Sequence, residues 1–174
     1  MPTTIPGLST ADRLETLAAM PEQGVELILN PGCDLESSRT AIALAEEFPF
    51  VYAAVGVHPS DCGAWEDSWL EQLRALAAHP KVRAIGEIGL DYYWKDNPPR
   101  ELQQKVFARQ LELAAELDLP VIVHDREAHQ DCLEVVRAHP EVTWRVPLLL
   151  RESGGRQGAG EAGLDAVLHW RHHL

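Results

Sequence analysis

Val121-Ile122-Val123-His124 is a short apolar run that ends in a histidine, and two earlier segments have the same form. Val55-Gly56-Val57-His58 also ends in histidine, and Ala84-Ile85-Gly86-Glu87 ends in a carboxylate. Helical stretches separate the three runs. This arrangement is typical of parallel barrel strands, whose carboxyl ends supply the catalytic groups of such folds. Two imidazoles and a carboxylate together indicate a divalent metal.

Length and composition predict one globular domain over residues 1–174. The chain has 45% hydrophobic and 24% charged residues, which is enough to bury a core. A complete eight-stranded barrel typically needs about 250 residues. We therefore expect an α/β fold of the (β/α)8 barrel type in which about half of the barrel is encoded, namely strands two to five with their helices.

The net charge of −12 argues against a protein that holds nucleic acid through a broad basic surface. A bound metal can still hold phosphate locally, so the acidity is compatible with a metalloenzyme. Cys33, Cys62 and Cys132 are odd in number and form no CxxC pair, which predicts reduced thiols. No basic, apolar leader or run of about 20 apolar residues is found, so we expect a cytoplasmic protein with no membrane partner.

Hydrophobic periodicity predicts alternating helices and strands, as in a parallel sheet with right-handed crossovers. The predicted helices cover residues 11–20, 34–47, 65–78, 101–117 and 127–138, and the predicted strands cover residues 25–29, 50–57, 82–88 and 121–123. Residues 1–10 and 143–174 lack this periodicity, so the regular core is expected at 11–142. An apolar strand within 144–150 beside 121–123 is compatible with the pattern, although Pro147 disfavours a central position.

Each candidate site residue also has a purely structural interpretation. Glu87 lies in an apolar strand, where an unpaired carboxylate is costly, so a metal or cationic partner is the favoured reason for it. His124 could begin a solvated loop, and His58 could stack on Pro59. Asp91 either caps the turn after the strand or orients a metal ligand.

Other polar and aromatic residues are assigned to packing or to the surface. The run Tyr92-Tyr93-Trp94 is expected to pack, with base stacking beside a metal site as the alternative. The histidines outside the three strand ends lie near predicted helix ends or in the tail, and we expect them at the surface: His79, His129, His139, His169, His172 and His173.

Longer motifs around the strand ends resemble the TatD family of metal-dependent deoxyribonucleases. They are Val55-Gly56-Val57-His58-Pro59, the segment from Ala84 to Tyr92, and the segment from Leu119 to Arg126, with Gln104, Phe107, Gln110, Leu111 and Ala114 between the last two. The resemblance runs from about residue 11 to 142. It implies an amidohydrolase-type barrel that binds two divalent metals, of the magnesium, manganese or zinc kind, and hydrolyses DNA.

The resemblance also implies roles for individual residues. Glu87 would be a metal ligand and catalytic carboxylate, and His124 a second metal ligand. Arg126 would contact the substrate phosphate, and His58 would line the catalytic pocket. DNA is then the expected substrate, and no protein partner is indicated. An amidohydrolase-type enzyme acting on an amide or ester is the first alternative, because the barrel supports many chemistries.

The chain departs from the family pattern at both ends. It has no HxH near its start, no later His-Cys-Phe/Tyr-Ser-Gly motif and no Glu-Thr-Asp setting. Residues 144–153 can be encoded by codons whose reading frame one nucleotide later spells GVFHCYSGK. Residues 163–174 can likewise be encoded so that this frame spells GWTLSFTGVITF. Residues 1–10 can be encoded so that the frame two nucleotides later spells AHYDSRPFD. We therefore hypothesise a TatD-type gene, or gene record, that is truncated and frameshifted at both ends.

This hypothesis makes a non-catalytic fragment the second alternative for the chain as written. Glu87 and His124 alone remain of a ligand set that normally comes from more strands. We expect weak metal binding, little or no nuclease turnover and self-association through exposed sheet edges.

Overall fold

Five parallel strands and five α-helices alternate along the described part of the chain. The structure, a computed structural model, describes residues 10–142 and 148–150. The strands are β1 (Ile28–Pro31), β2 (Val51–Val55), β3 (Val82–Asp91), β4 (Val121–Arg126) and β5 (Leu148–Leu150). The helices are α1 (Thr10–Ala19), α2 (Leu35–Glu47), α3 (Ser68–Ala77), α4 (Arg100–Glu116) and α5 (His129–Arg137). Two 3-10 helices, Pro21–Gln23 and Pro59–Ala64, lie before β1 and α3.

The strands form one sheet in the order β1-β2-β3-β4-β5, and every neighbouring pair is parallel. The order follows the chain because each helix carries the polypeptide back to the start of the next strand. Among the described residues this is an open, five-stranded sheet, so the expected partial barrel is confirmed. β5 pairs in parallel with β4, with Ile122 opposite Leu148, as the apolar pattern after 143 allowed.

The two faces of the sheet carry different clusters, because alternate side chains of a strand point to opposite faces. Residues such as Val55, Ile85 and Val123 pack against helices and form the main core, to which α4 contributes Phe107 and Leu111. The other face holds a small separate cluster in which Ala54, Ala84 and Ile122 are buried. His124 and Arg126 follow Ile122 at alternate positions, so they share this second face.

Several predicted boundaries were wrong, for local reasons. β1 begins at Ile28 rather than 25, because Gly24 ends a 3-10 helix with φ +84° and the first pairing bond joins Ile28 N to Phe50 O. α5 begins at His129 rather than 127, because the φ of Glu127 is +53°, which is not helical.

Three further boundaries differ from the prediction, at the start of α3 and at the ends of β3 and β4. Pro59–Ala64 forms a 3-10 helix, and α3 then begins at Ser68 rather than 65. β3 and β4 each extend three residues beyond the prediction, to Asp91 and Arg126. The added pairs Leu90 with Asp125 and Asp91 with Arg126 continue the parallel register, so the motif residues lie within the sheet rather than in loops.

All three cysteines are free thiols, as predicted. Burial raises the pKa of Cys33 and of Cys62 to about 11, so both remain protonated at neutral pH. Within the described part of the chain, none of the helices has the length and apolar character needed to cross a bilayer. The predictions for residues 1–9, 143–147 and 151–174, including the alternative reading frames, lie outside the described residues.

Candidate metal centre

The three polar residues that end the apolar runs meet at one place. His58 follows β2, Glu87 lies in β3 and His124 lies in β4, and one ligand atom from each lies within 4.8 Å of the others. These strands are parallel neighbours, so their carboxyl-terminal halves lie at the same edge of the sheet. The expected convergence of these residues is therefore confirmed.

His124 lies between two carboxylates. Its Nδ1 is 3.1 Å from Oε1 of Glu87, and its Nε2 is 3.1 Å from Oδ2 of Asp91. Burial alone lowers the pKa of His124, but the hydrogen bonds and negative charges of Glu87 and Asp91 outweigh burial and raise it. The imidazole is therefore firmly oriented, because each ring nitrogen contacts a carboxylate.

Glu87 remains ionised in this setting. Burial raises its pKa, but the hydrogen bond from His124 and the electrostatic effect of the nearby His58 and His124 rings outweigh burial, and the net shift is downward. Glu87 thus supplies a charged carboxylate in a largely buried position, which is the state that a metal ligand requires.

His58 is held differently from His124. Its Nδ1 accepts a hydrogen bond from the backbone N–H of Ser60 at 3.1 Å, and its ring meets that of His124 edge to face with 4.3 Å between centroids. A neutral imidazole that accepts at Nδ1 carries its proton on Nε2. Although its position allows metal ligation, this hydrogen bond makes His58 better suited to donate from Nε2.

Asp91 connects the cluster to the following loop. Its side chain is buried, and Oδ1 accepts from Tyr93 N at 3.0 Å while Oδ2 contacts His124. Both interpretations of Asp91 that the sequence left open are therefore present: it caps the turn and it contacts the candidate metal ligand.

A glycine allows β3 to approach β4 beside His124. Gly89 is paired with His124 and has φ +136°, a conformation that side chains rarely adopt. A Cβ atom there would lie 2.1 Å from the carbonyl oxygen of His124. Glycine is thus required where the two ligand-bearing strands meet.

Two buried glutamines of α4 hold the ends of the strands. Gln110 accepts from Val57 N at 2.7 Å and donates to Val57 O at 3.0 Å. Gln103 makes the same pair of bonds with the backbone of Asp91, at 2.9 and 3.1 Å. The side-chain amides thus pair with the backbone as a strand would, at Val57, which precedes His58, and at Asp91 itself.

Arg126 lies at the end of β4, two residues beyond His124. Its guanidinium carbon is 4.1 Å from the ring centroid of Tyr93 and 5.3 Å from that of Trp94. The structure therefore places Arg126 beside the aromatic pair, on the same face as His124.

The donor set fits a divalent cation. The imidazole of His124 and the ionised carboxylate of Glu87 are ligands for zinc-like and manganese-like ions, and with His58 beside them the three ligand atoms are close enough to surround one ion. For Nδ1 of His124 to bind a cation it must lose its proton, while Nε2–H can remain on Asp91. A carboxylate on the far nitrogen is the usual partner of a ligating histidine.

Sequence reasoning found Glu87, His124 and His58 because each interrupts an apolar pattern. It did not assign a role to Gln103, since a glutamine within a helical pattern is normally a surface residue. It also placed His129 at the surface, where its ring is indeed largely exposed, but did not anticipate the 2.6 Å contact with the buried carboxylate of Asp125. The i, i+4 spacing of these two residues was the available signal.

Comparison with known proteins agrees with this geometry. A family model described as TatD related DNase matches residues 6–171. The chain belongs to this family. The matched range is longer at both ends than the range 11–142 over which the sequence motifs run.

Two curated relatives are similar to this chain over about two thirds of its length or more. The chain is 39% identical over 126 residues to the "uncharacterized metal-dependent hydrolase YabD" of Bacillus subtilis, covering 72% of this chain and 49% of YabD. It is 44% identical over 118 residues to the 3'-5' ssDNA/RNA exonuclease TatD of Cronobacter turicensis, covering 68% of this chain and 44% of that protein. The chain thus spans about half the length of the curated relatives it matches.

A solved structure extends the comparison to the fold. YJJV, a TatD homolog from Escherichia coli K12, superposes with a TM-score of 0.70 at 36% identity, covering 78% of this chain and 52% of YJJV. A hydrolase of the TatD family from Entamoeba histolytica, at 23% identity and a TM-score of 0.67, supports the fold alone. The described part of the chain therefore has the fold of about half of a TatD-family protein.

Proposed function

We propose that this chain carries the metal centre of a TatD-type phosphodiesterase that hydrolyses DNA. The observation that carries the proposal is the convergence of His58, Glu87 and His124 at the carboxyl ends of neighbouring strands. The names of the relatives add support, because one is described as a metal-dependent hydrolase and another as an ssDNA/RNA exonuclease. Two divalent ions, as the family resemblance implies, are part of the proposal.

Each residue of the site would have a separate role in hydrolysis. Glu87 and His124 would hold the metal, and a bound divalent ion lowers the pKa of its water and stabilises charge on the phosphoryl oxygens. His58, with its proton on Nε2, would donate to a phosphoryl oxygen. Arg126 would contact the substrate phosphate from the end of β4, and a planar guanidinium suits that contact.

The test combines metal binding with hydrolysis. Full-length protein is freed of metal with a chelator and titrated with Mn2+, Mg2+ or Zn2+ by calorimetry. It is then incubated in excess over end-labelled single-stranded DNA, so that slow cleavage can be measured. We expect metal-dependent cleavage, and we expect Glu87→Ala to abolish both metal binding and cleavage.

Two further variants separate the roles within the cluster. His58→Gln should keep most of the metal affinity and slow cleavage about 100-fold, the usual cost of losing one donor to a developing oxyanion. Glu101→Gln, which changes an exposed carboxylate of α4, is the control and should behave like the wild type.

Three outcomes would contradict the proposal. The first is unchanged metal binding in Glu87→Ala, and the second is DNA cleavage that is as fast in chelator as in metal. The third is metal-dependent hydrolysis of small amide or ester substrates without any cleavage of DNA, which would support the amidohydrolase alternative.

A further inference from the structure

Two large aromatic side chains are exposed directly beside the metal centre. Tyr93 and Trp94 lie two and three residues after Asp91, the last residue of β3, and are 51% and 55% exposed. Their rings meet edge to face with 4.8 Å between centroids. Apart from these two, Leu27 is the exposed large hydrophobic residue in the described part of the chain. Exposed aromatic pairs of this kind indicate a binding surface more than a packing need.

Short contacts connect this aromatic pair to the candidate metal ligands. The carboxylate of Asp91 accepts from the backbone of Tyr93 and also contacts His124. Two residues of a parallel strand span about 6.6 Å, so Arg126 lies about that distance along β4 from His124. The guanidinium of Arg126 is stacked over Tyr93. The aromatic pair is thus connected to the cluster through Asp91 and Arg126.

Cationic side chains lie around the aromatic pair, together with the carboxylates of Asp91 and Asp96. Lys95 and Arg100 line a cavity of about 230 Å³ that also borders Trp94. Arg126 adds a third positive charge beside the rings. Cations that adjoin exposed aromatic faces complement a polyanion whose monomers carry flat rings.

We infer that Tyr93 and Trp94 form a base-stacking subsite for single-stranded nucleic acid, with the adjoining phosphate beside Arg126. This inference rests on the proposed function only in taking nucleic acid as the substrate. Stacking on an aromatic ring requires an uncovered base face, which a paired and stacked duplex does not offer. The subsite therefore selects single strands, and it tolerates any base because every base has such a face.

The experiment measures binding of two oligomers with equal charge. One is a ten-nucleotide oligothymidylate, and the other has the same backbone with abasic residues throughout. Affinities for full-length protein are measured by fluorescence anisotropy in chelator, where cleavage is stopped. The wild type should bind the oligothymidylate about tenfold more tightly, as expected for stacking of a base on an aromatic ring.

The variants assign that preference to the aromatic pair. In Trp94→Ala the preference should fall below about twofold, whereas Trp94→Phe, which keeps a ring, should retain most of it. Leu27→Ala is the matched control, because it removes an exposed apolar side chain at the opposite end of the strands, and it should leave the preference unchanged.

A wild type without preference for bases, or a Trp94→Ala variant that keeps it, would overturn the inference. Neither result depends on hydrolysis. Metal-dependent cleavage measured separately therefore decides the proposed function, and the binding preference decides the subsite.

Discussion

The carboxylate of Asp91 contacts both the turn after β3 and the ring of His124. We predict that Asp91→Ala lowers the affinity for divalent metal about 10- to 100-fold, because the partner of a ligating histidine fixes its tautomer and orientation. Asp91→Asn can still accept from Nε2–H of His124, so its metal affinity should lie between that of Asp91→Ala and that of the wild type. The measurement is calorimetric metal titration together with the nitrogen NMR shifts of the His124 ring.

Asp96→Ala serves as the control for this prediction, since Asp96 is an exposed carboxylate in the same loop. Asp91 acts as a positioning residue only if the His124 tautomer changes along with the affinity. An Asp91→Ala variant with normal affinity and normal ring shifts would show that Asp91 merely caps the turn.

At the scale of the element, α2 begins with a complete capping box. The Asp34 carboxylate accepts from Ser37 N at 2.7 Å, and the Ser37 hydroxyl accepts from Asp34 N at 2.9 Å. Burial raises the pKa of Asp34, but the hydrogen bonds from Ser37 outweigh it, so the net shift is downward. We predict that Asp34→Ala lowers the free energy of unfolding by about 1 kcal/mol at pH 7.

The sign of the pH dependence follows from that shift. A carboxylate with a lowered folded-state pKa stabilises the fold above its unfolded pKa, near 4, and that stabilisation is lost as the pH falls through the folded-state pKa. Urea unfolding at pH 7 and at about pH 2.5 should therefore show a smaller difference between Asp34→Ala and wild type in acid. An equal difference at both pH values would contradict the role of the charged cap.

Elements were predicted better than their ends. The alternation of periods identified the five α-helices and four of the five strands of the described residues, because buried parallel strands and amphipathic helices leave different hydrophobic spacings. The ends of β3 and β4 were missed because Asp91 and Arg126 look like loop residues, and only pairing with a neighbouring strand extends the sheet to them. The start of α5 was missed because the backbone conformation of Glu127 has no clear sequence signal.

At the scale of the whole molecule, the polar residues at three strand ends predicted a shared site. The features of the site that depend on tertiary contacts were not predicted. Parallel pairing of β3 with β4 predicted that Glu87 and His124 lie at the same edge of the sheet, but their contact also depends on the register shift between Ile85 and Ile88, because Gly89 is the residue opposite His124. The exposure of Tyr93 and Trp94 depends on how the loop after β3 turns, which a run of aromatic letters does not specify. The domain limits, the cytoplasmic location and the catalytic roles of Glu87, His58 and Arg126 remain predictions.

The hydrogen bonds from Gln110 and Gln103 of α4 make the exchange of two backbone amides depend on the same undocking of the helix. The N–H groups of Val57 and Asp91 are protected from solvent exchange by the side chains of Gln110 and Gln103, so both depend on the helix remaining docked. Native-state hydrogen exchange should therefore give these two amides the same opening free energy, although they are far apart in the chain. Independent exchange rates at the two positions would show that the helix can leave one strand end while holding the other.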